Sequence, residues 1–125
     1  MLASTLQVAL GGAIGASARF LIGAGIARGL GTTGFPLAIL TINVVGSFLM
    51  GVFVVLLGRW GLPHLTPFVL TGILGGFTTF SAFSLETITL WERGLAGQAA
   101  LYVGLSVILS VGALALGLWL ARSLI

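Results

Sequence analysis

The sequence predicts an all-α integral membrane protein with four transmembrane helices, the third broken near Gly75–Thr79, in a single domain over residues 1–125, working as an antiparallel, dual-topology homodimer. Three observations predict the helices and the break. The chain is 58% hydrophobic and only 6% charged, with a mean hydropathy of +1.26. A soluble domain carries about 25% charged residues, so this one lacks the polar side chains to cover a water-facing surface. Apolar runs long enough to span a bilayer core, which takes about 20 helical residues, recur at Ser4–Ala27, Pro36–Gly58, Thr66–Trp91 and Gly97–Ala121. The third run contains Gly75-Gly76-Phe77-Thr78-Thr79, and paired glycines followed by β-branched threonines continue a helix poorly. Backbone that leaves the helix at that depth survives only where protein buries it or a polar cavity receives it.

Composition also excludes several functions. The net charge of +3 and the pI near 11.4 come from Arg19, Arg28, Arg59, Arg93 and Arg122, all isolated and with no lysine. They form no basic patch, so no nucleic-acid partner is expected. Glu86 and Glu92 are the acids, cysteine is absent, and His64 alone cannot build a transition-metal site. With no nucleophile–base pair, carboxylate pair or phosphate loop, no enzyme is expected. Met1–Thr5 lacks the basic region of a secretory signal, so the first run is expected to be a retained span.

In the first run, Gly11 and Gly15 stand four apart and make a small-residue face for close helix packing. Arg19 follows one turn later, either snorkelling to the interface or drawing anions into a wet vestibule. Residues 29–34 are expected to form the first loop, and Pro36 to open the second helix. That helix carries Asn43, an amide inside the hydrocarbon. It serves either as an interhelical hydrogen-bonding group or as a donor to an ion in transit. After a loop at Arg59–His64, Pro67 suits the first turn of the third helix. Beyond the break, Phe80, Phe83, Ser84 and Thr87 share one helical face, with Ser81 beside them and Glu86 about two turns beyond the break. Residues 92–96 connect to a fourth helix in which Tyr102, Ser106 and Ser110 form a polar stripe at four-residue spacing. Such hydroxyls either bond back to their own helix or line a path. Trp60, Trp91 and Trp119 fall near span ends, as an aromatic belt requires.

Four spans place both termini on one side. Arg59 and Arg122 lie on that side, Arg28 and Arg93 on the other, and this balance sets no orientation by the positive-inside rule. Weak bias in a small protein explains it; so does insertion in both directions followed by antiparallel pairing. The second reading makes an inverted repeat from two copies.

The buried polar groups are uncharged. A cation pathway calls for carboxylates or converging carbonyls, whereas an anion calls for N–H and O–H donors. Aromatic ring edges are also electropositive, so Phe80 and Phe83 serve either as ordinary packing or as edges offered to a small anion. Carbonyls freed around Gly75–Thr78, brought together from two chains at a two-fold axis, would suit a monovalent cation or a bridging water.

Three segments carry a family resemblance. Gly11-Gly12-Ala13-Ile14-Gly15-Ala16-Ser17-Ala18-Arg19-Phe20, Thr41-Ile42-Asn43-Val44-Val45-Gly46-Ser47-Phe48 and Gly75-Gly76-Phe77-Thr78-Thr79-Phe80-Ser81-Ala82-Phe83-Ser84 resemble the motifs of the Fluc (CrcB-type) fluoride channels, and the likeness runs through all four spans. The resemblance implies a dual-topology homodimer in a prokaryotic plasma or inner membrane, with two fluoride pores and a central sodium ion. It implies pore roles for Phe80, Phe83, Asn43, Tyr102 and Ser106, sodium ligation by the carbonyls of Gly75 and Thr78, and correspondence of Arg19 and Glu86 to family positions. Ile39 and Ala82 stand where many members have threonine, which removes one hydroxyl from the second helix and one near the signature. Two rival functions fit four short spans. A small proton-coupled multidrug-type exporter needs an acid in the first helix, where this chain has Arg19. A non-transporting assembly subunit would use the polar stripes as helix–helix glue.

Overall fold

The computed structural model describes residues 1–30 and 34–125. Helix α1 runs Leu2–Leu30 and α2 runs Leu37–Arg59. A 3₁₀ turn at Pro63–Leu65 leads into a π-helical segment, Pro67–Leu74, which passes directly into the short α3, Gly75–Phe77. Helix α4 is Phe80–Glu92 and α5 is Ala96–Leu124. By length and apolarity four helical stretches can cross a membrane: Leu2–Leu30, Leu37–Arg59, Pro63–Glu92 and Ala96–Leu124. They coincide with the four expected spans, and the protein is multi-pass.

Details at the boundaries differ from expectation. Gly29 and Leu30 were placed in the first loop but are the last turn of α1; residues 31–33 lie outside the described residues. Pro36 sits just before α2, at its N-cap with ψ 67°, instead of inside its first turn. Pro67 does open its helix, where a missing N–H costs nothing. The π-helical turn that follows has no signature in the apolar periodicity. Gly61 and Gly94, with φ of +67° and +78°, make the turns after α2 and α4, a conformation that costs glycine nothing.

Two pairings hold the bundle together. Helix α2 packs along α5, and α1 along the segment 67–77. Both are close because glycine lets backbones touch. The buried residues of α1 are Gly11 and Gly15, as the small-residue face predicts. A Cβ on Gly11 would stand 2.9 Å from Gly72 Cα, and one on Gly15 would overlap the Ile73 carbonyl oxygen. Across the other seam, side chains on Gly51 or Gly117 would meet the backbone of α5 or α2. In lipid, where burying apolar surface gains nothing over contact with lipid tails, such close packing drives helix association. The outward faces are apolar, with Leu10, Ile14, Ile108 and Val111 exposed. Trp60, Trp91 and Trp119 are exposed near the helix ends, at the positions of an interfacial belt.

Candidate functional site: a polar cavity beside an interrupted helix

Between α3 and α4 the backbone leaves the helical region. Thr78 has φ −84° and ψ 157°, and Thr79 has φ −151° and ψ 122°. Asn43 on α2 meets this pair from the side. Its Nδ2 donates to the Thr79 carbonyl at 3.1 Å, and its Oδ1 accepts the Thr79 N–H at 2.9 Å. The amide thereby stands in for the lost helical ladder. Gly46, one turn along α2, makes the approach possible, since a side chain there would strike the Thr78 methyl group and stand 3.1 Å from the Phe77 ring.

Thr79 then starts α4. Its hydroxyl accepts the Ala82 N–H at 3.1 Å, the usual N-cap arrangement, and lies 3.2 Å from the Ser81 hydroxyl. An unbroken helix would have given the Thr79 N–H to the Gly75 carbonyl and the Ala82 N–H to the Thr78 carbonyl. Both donors are engaged by side chains instead, so these two carbonyls lose their ladder partners. The Gly76 carbonyl is met from α1, where Arg19 Nε donates to it at 3.2 Å. Arg19 thereby ties α1 to the end of α3. Thr78 closes its own turn, with its N–H and hydroxyl both bonded to the Leu74 carbonyl at 3.1 and 2.9 Å.

Beside the interruption lies a cavity of about 320 Å³, walled by Asn43 and Ser47 from α2, Thr79, Phe80 and Phe83, and Ser106 and Ser110 from α5. The Phe80 and Phe83 centroids are 5.4 Å apart with the rings tilted 45°. Phe80, on the rim, is 79% exposed. The hydroxyl oxygens of Tyr102, Ser106 and Ser110 are buried and make no hydrogen bond among the described residues. Burying an unpaired hydroxyl costs on the order of 1–3 kcal/mol, so three in one stripe mark a place prepared for something polar.

The structure thus brings Asn43, Phe80, Phe83, Ser106 and Ser110 together, with the Tyr102 ring 5.3 Å from Phe83 and tilted 36° to it. Ser84 bonds back to its own helix, its hydroxyl donating to the Phe80 carbonyl at 2.9 Å. Glu86 lies elsewhere, lining a second cleft of about 610 Å³ with Arg93, Phe35 and Leu30. Ile39, without the hydroxyl common in the resembled family, packs against the apolar cluster of Leu40, Leu90, Ala99 and Tyr102. Ser47 and Thr79 belong to the site but escaped the sequence reading. Ser47 stands four residues after Asn43 on one helix face, and Thr79 is the hydroxyl residue just before a new helix, so both carried a usable signal.

A bundle of apolar spans enclosing donors beside an interrupted helix defines a small multi-pass membrane protein of the ion-pathway kind. The model of the family described as "CrcB-like protein, Camphor Resistance (CrcB)" matches residues 6–118, and the chain belongs to that family. It is 65% identical over 125 residues to a "Fluoride-specific ion channel FluC" of Ruegeria sp. (strain TM1040), covering 100% of this chain and 99% of that one. A protein of the same name from Roseobacter denitrificans is 64% identical over 120 residues, 95% of each chain. Another, from Jannaschia sp. (strain CCS1), is 71% identical over 96 residues, 75% of this chain and 91% of that one. These relatives are named as ion channels, which are not enzymes.

Proposed function

We propose that the protein is a passive fluoride-selective channel that releases cytoplasmic fluoride across a prokaryotic plasma or inner membrane. The observation that carries the reading is the cavity beside Thr78–Thr79, where buried hydroxyls without a hydrogen-bond partner among the described residues share the wall with two phenylalanine rings and an amide. Family membership and the names of the relatives support fluoride as the ion. Fluoride is small and strongly hydrated, so a pathway must replace its water. Ser106 and Ser110 have hydroxyl protons to give, and Asn43 keeps a second Nδ2 hydrogen after bonding Thr79. Phe80 and Phe83 supply electropositive ring edges on the cavity wall. Chloride is larger and gains less from close donors. Fluoride that enters as the weak acid HF ionises in a less acidic cytoplasm, and a passive anion path discharges it with no coupled ion.

The functional unit in this reading is an antiparallel homodimer with two pores. The exposed Phe80 and the open side of the cavity support it, since a second chain would complete the wall. A structural sodium ion at the dimer centre fits the chain, because the Gly75 and Thr78 carbonyls have lost their helical donors and carbonyl oxygens suit a monovalent cation. When bound, the ion would supply positive charge to those oxygens and hold the interrupted segment in place.

Fluoride efflux from liposomes containing only this protein tests the reading. Rapid efflux driven by a fluoride gradient and a potassium ionophore is expected; none, or efflux that requires a proton gradient, overturns it in favour of a subunit or an exporter. Prolonged dialysis against sodium-free buffer is expected to lower the flux, and indifference would remove the sodium ion from the reading.

A further inference from the structure

The Phe80–Phe83 pair does not end the run of rings. Phe83 lies 5.3 Å from Tyr102, and Tyr102 meets Phe35 at 5.8 Å with the ring planes at 88°, edge to face. Phe35, between α1 and α2, also lines the Glu86–Arg93 cleft. Phe80, Phe83, Tyr102 and Phe35 therefore link the cavity beside Thr79 to the second cleft, which Phe35 lines. Tyr102 is fully buried and its hydroxyl has no hydrogen-bond partner among the described residues, so the column carries an unsatisfied polar group halfway along. The cleft beyond holds one carboxylate and one guanidinium; Arg93 lies close enough to the turn that a Cβ on Gly34 would stand 3.5 Å from its Nη2.

The Tyr102–Phe35 contact lies on this run of rings, between the cavity and the cleft. We propose that Phe35 is a specificity-determining residue, the throat between the buried pathway and the Glu86–Arg93 cleft, where its ring limits the size of the passing anion and its edge compensates the last step of dehydration. The inference rests on the channel reading. A purely packing role would need bulk at this position and no ring. A role in the throat needs the ring itself, because only an aromatic edge presents positive potential to a passing anion, which an aliphatic side chain of similar bulk lacks.

The test compares wild type, Phe35→Ile, Phe35→Ala and Phe35→Tyr in full-length protein reconstituted in liposomes, reading fluoride and chloride efflux, with Phe80→Ile as a reference. Phe35→Ile, which keeps bulk but removes the ring, is expected to lower fluoride flux about tenfold, while Phe35→Tyr stays within about twofold of wild type. Phe35→Ala is expected to raise chloride flux relative to fluoride by about tenfold. Dimer elution on size exclusion identifies any variant that fails to fold, and the chloride-to-fluoride ratio of the remaining variants decides. Phe35→Ile and Phe35→Ala both matching wild type in both fluxes, while Phe80→Ile loses fluoride flux, overturns the throat and leaves the channel standing. No fluoride flux in wild type overturns both.

Discussion

The two sides of the third span are filled in opposite ways. Toward α1 it meets glycine: Gly11 against Gly72, Gly15 against the Ile73 carbonyl, Gly76 against Gly12, with nothing between the backbones. Toward α2 and α5 it meets Asn43, Ser106 and Ser110 around an open volume of about 320 Å³. The first seam is closed within one chain. The second is held open by the Asn43–Thr79 pair and ends in hydroxyls that have no hydrogen-bond partner among the described residues. The contrast teaches that the same span serves as scaffold on one side and as site on the other, and that Arg19 and Asn43 fix the interruption between the two.

Substitutions can break each side separately. The largest effect is expected at Gly15→Val, because the obstacle is a backbone carbonyl that cannot rotate away. Overpacking costs about 1–3 kcal/mol even where side chains can yield, so loss of a monodisperse peak on detergent size exclusion is expected. A well-behaved Gly15→Val protein would mean the seam is not close-packed. Next is Asn43→Leu, which strands both the N–H and the carbonyl of Thr79. At about 1–3 kcal/mol for each unpaired group, a clear drop in thermal midpoint should accompany a more than tenfold loss of fluoride efflux. Loss of flux at an unchanged midpoint would show that Asn43 acts on the ion alone and does not hold the backbone. The smallest effect belongs to Ser110→Ala. Its hydroxyl has no partner among the described residues, so the midpoint should stay the same or rise slightly, while efflux falls a fewfold, as loss of a hydrogen bond of about 1 kcal/mol implies. A lowered midpoint with intact efflux would turn the α5 stripe into helix–helix glue.

Much of this was legible in the residues. The four spans follow from hydropathy, and the tight α1 seam from Gly11 and Gly15, because both depend on local composition and helical spacing. The polar stripe Tyr102–Ser106–Ser110 was visible for the same reason. The partners of the polar side chains were not. Asn43 and Arg19 each admitted two readings, and periodicity cannot choose between them, since it says which face a residue occupies and nothing about what the neighbouring helix presents. Thr79 and Arg19 proved to act on backbone groups, which have no sequence pattern of their own.

What the sequence alone determined, then, is a membrane bundle with a weak point in its third span: composition decides the solvent, and Gly-Gly and Thr-Thr decide where the helix is least secure. The tertiary structure decided what that weak point becomes. Gly46 lets α2 come close, Asn43 takes over the Thr79 backbone, and Thr79 restarts the helix. Only packing between helices far apart in the chain sets those distances, and those distances turn a poor helix into a cavity with donors on its wall.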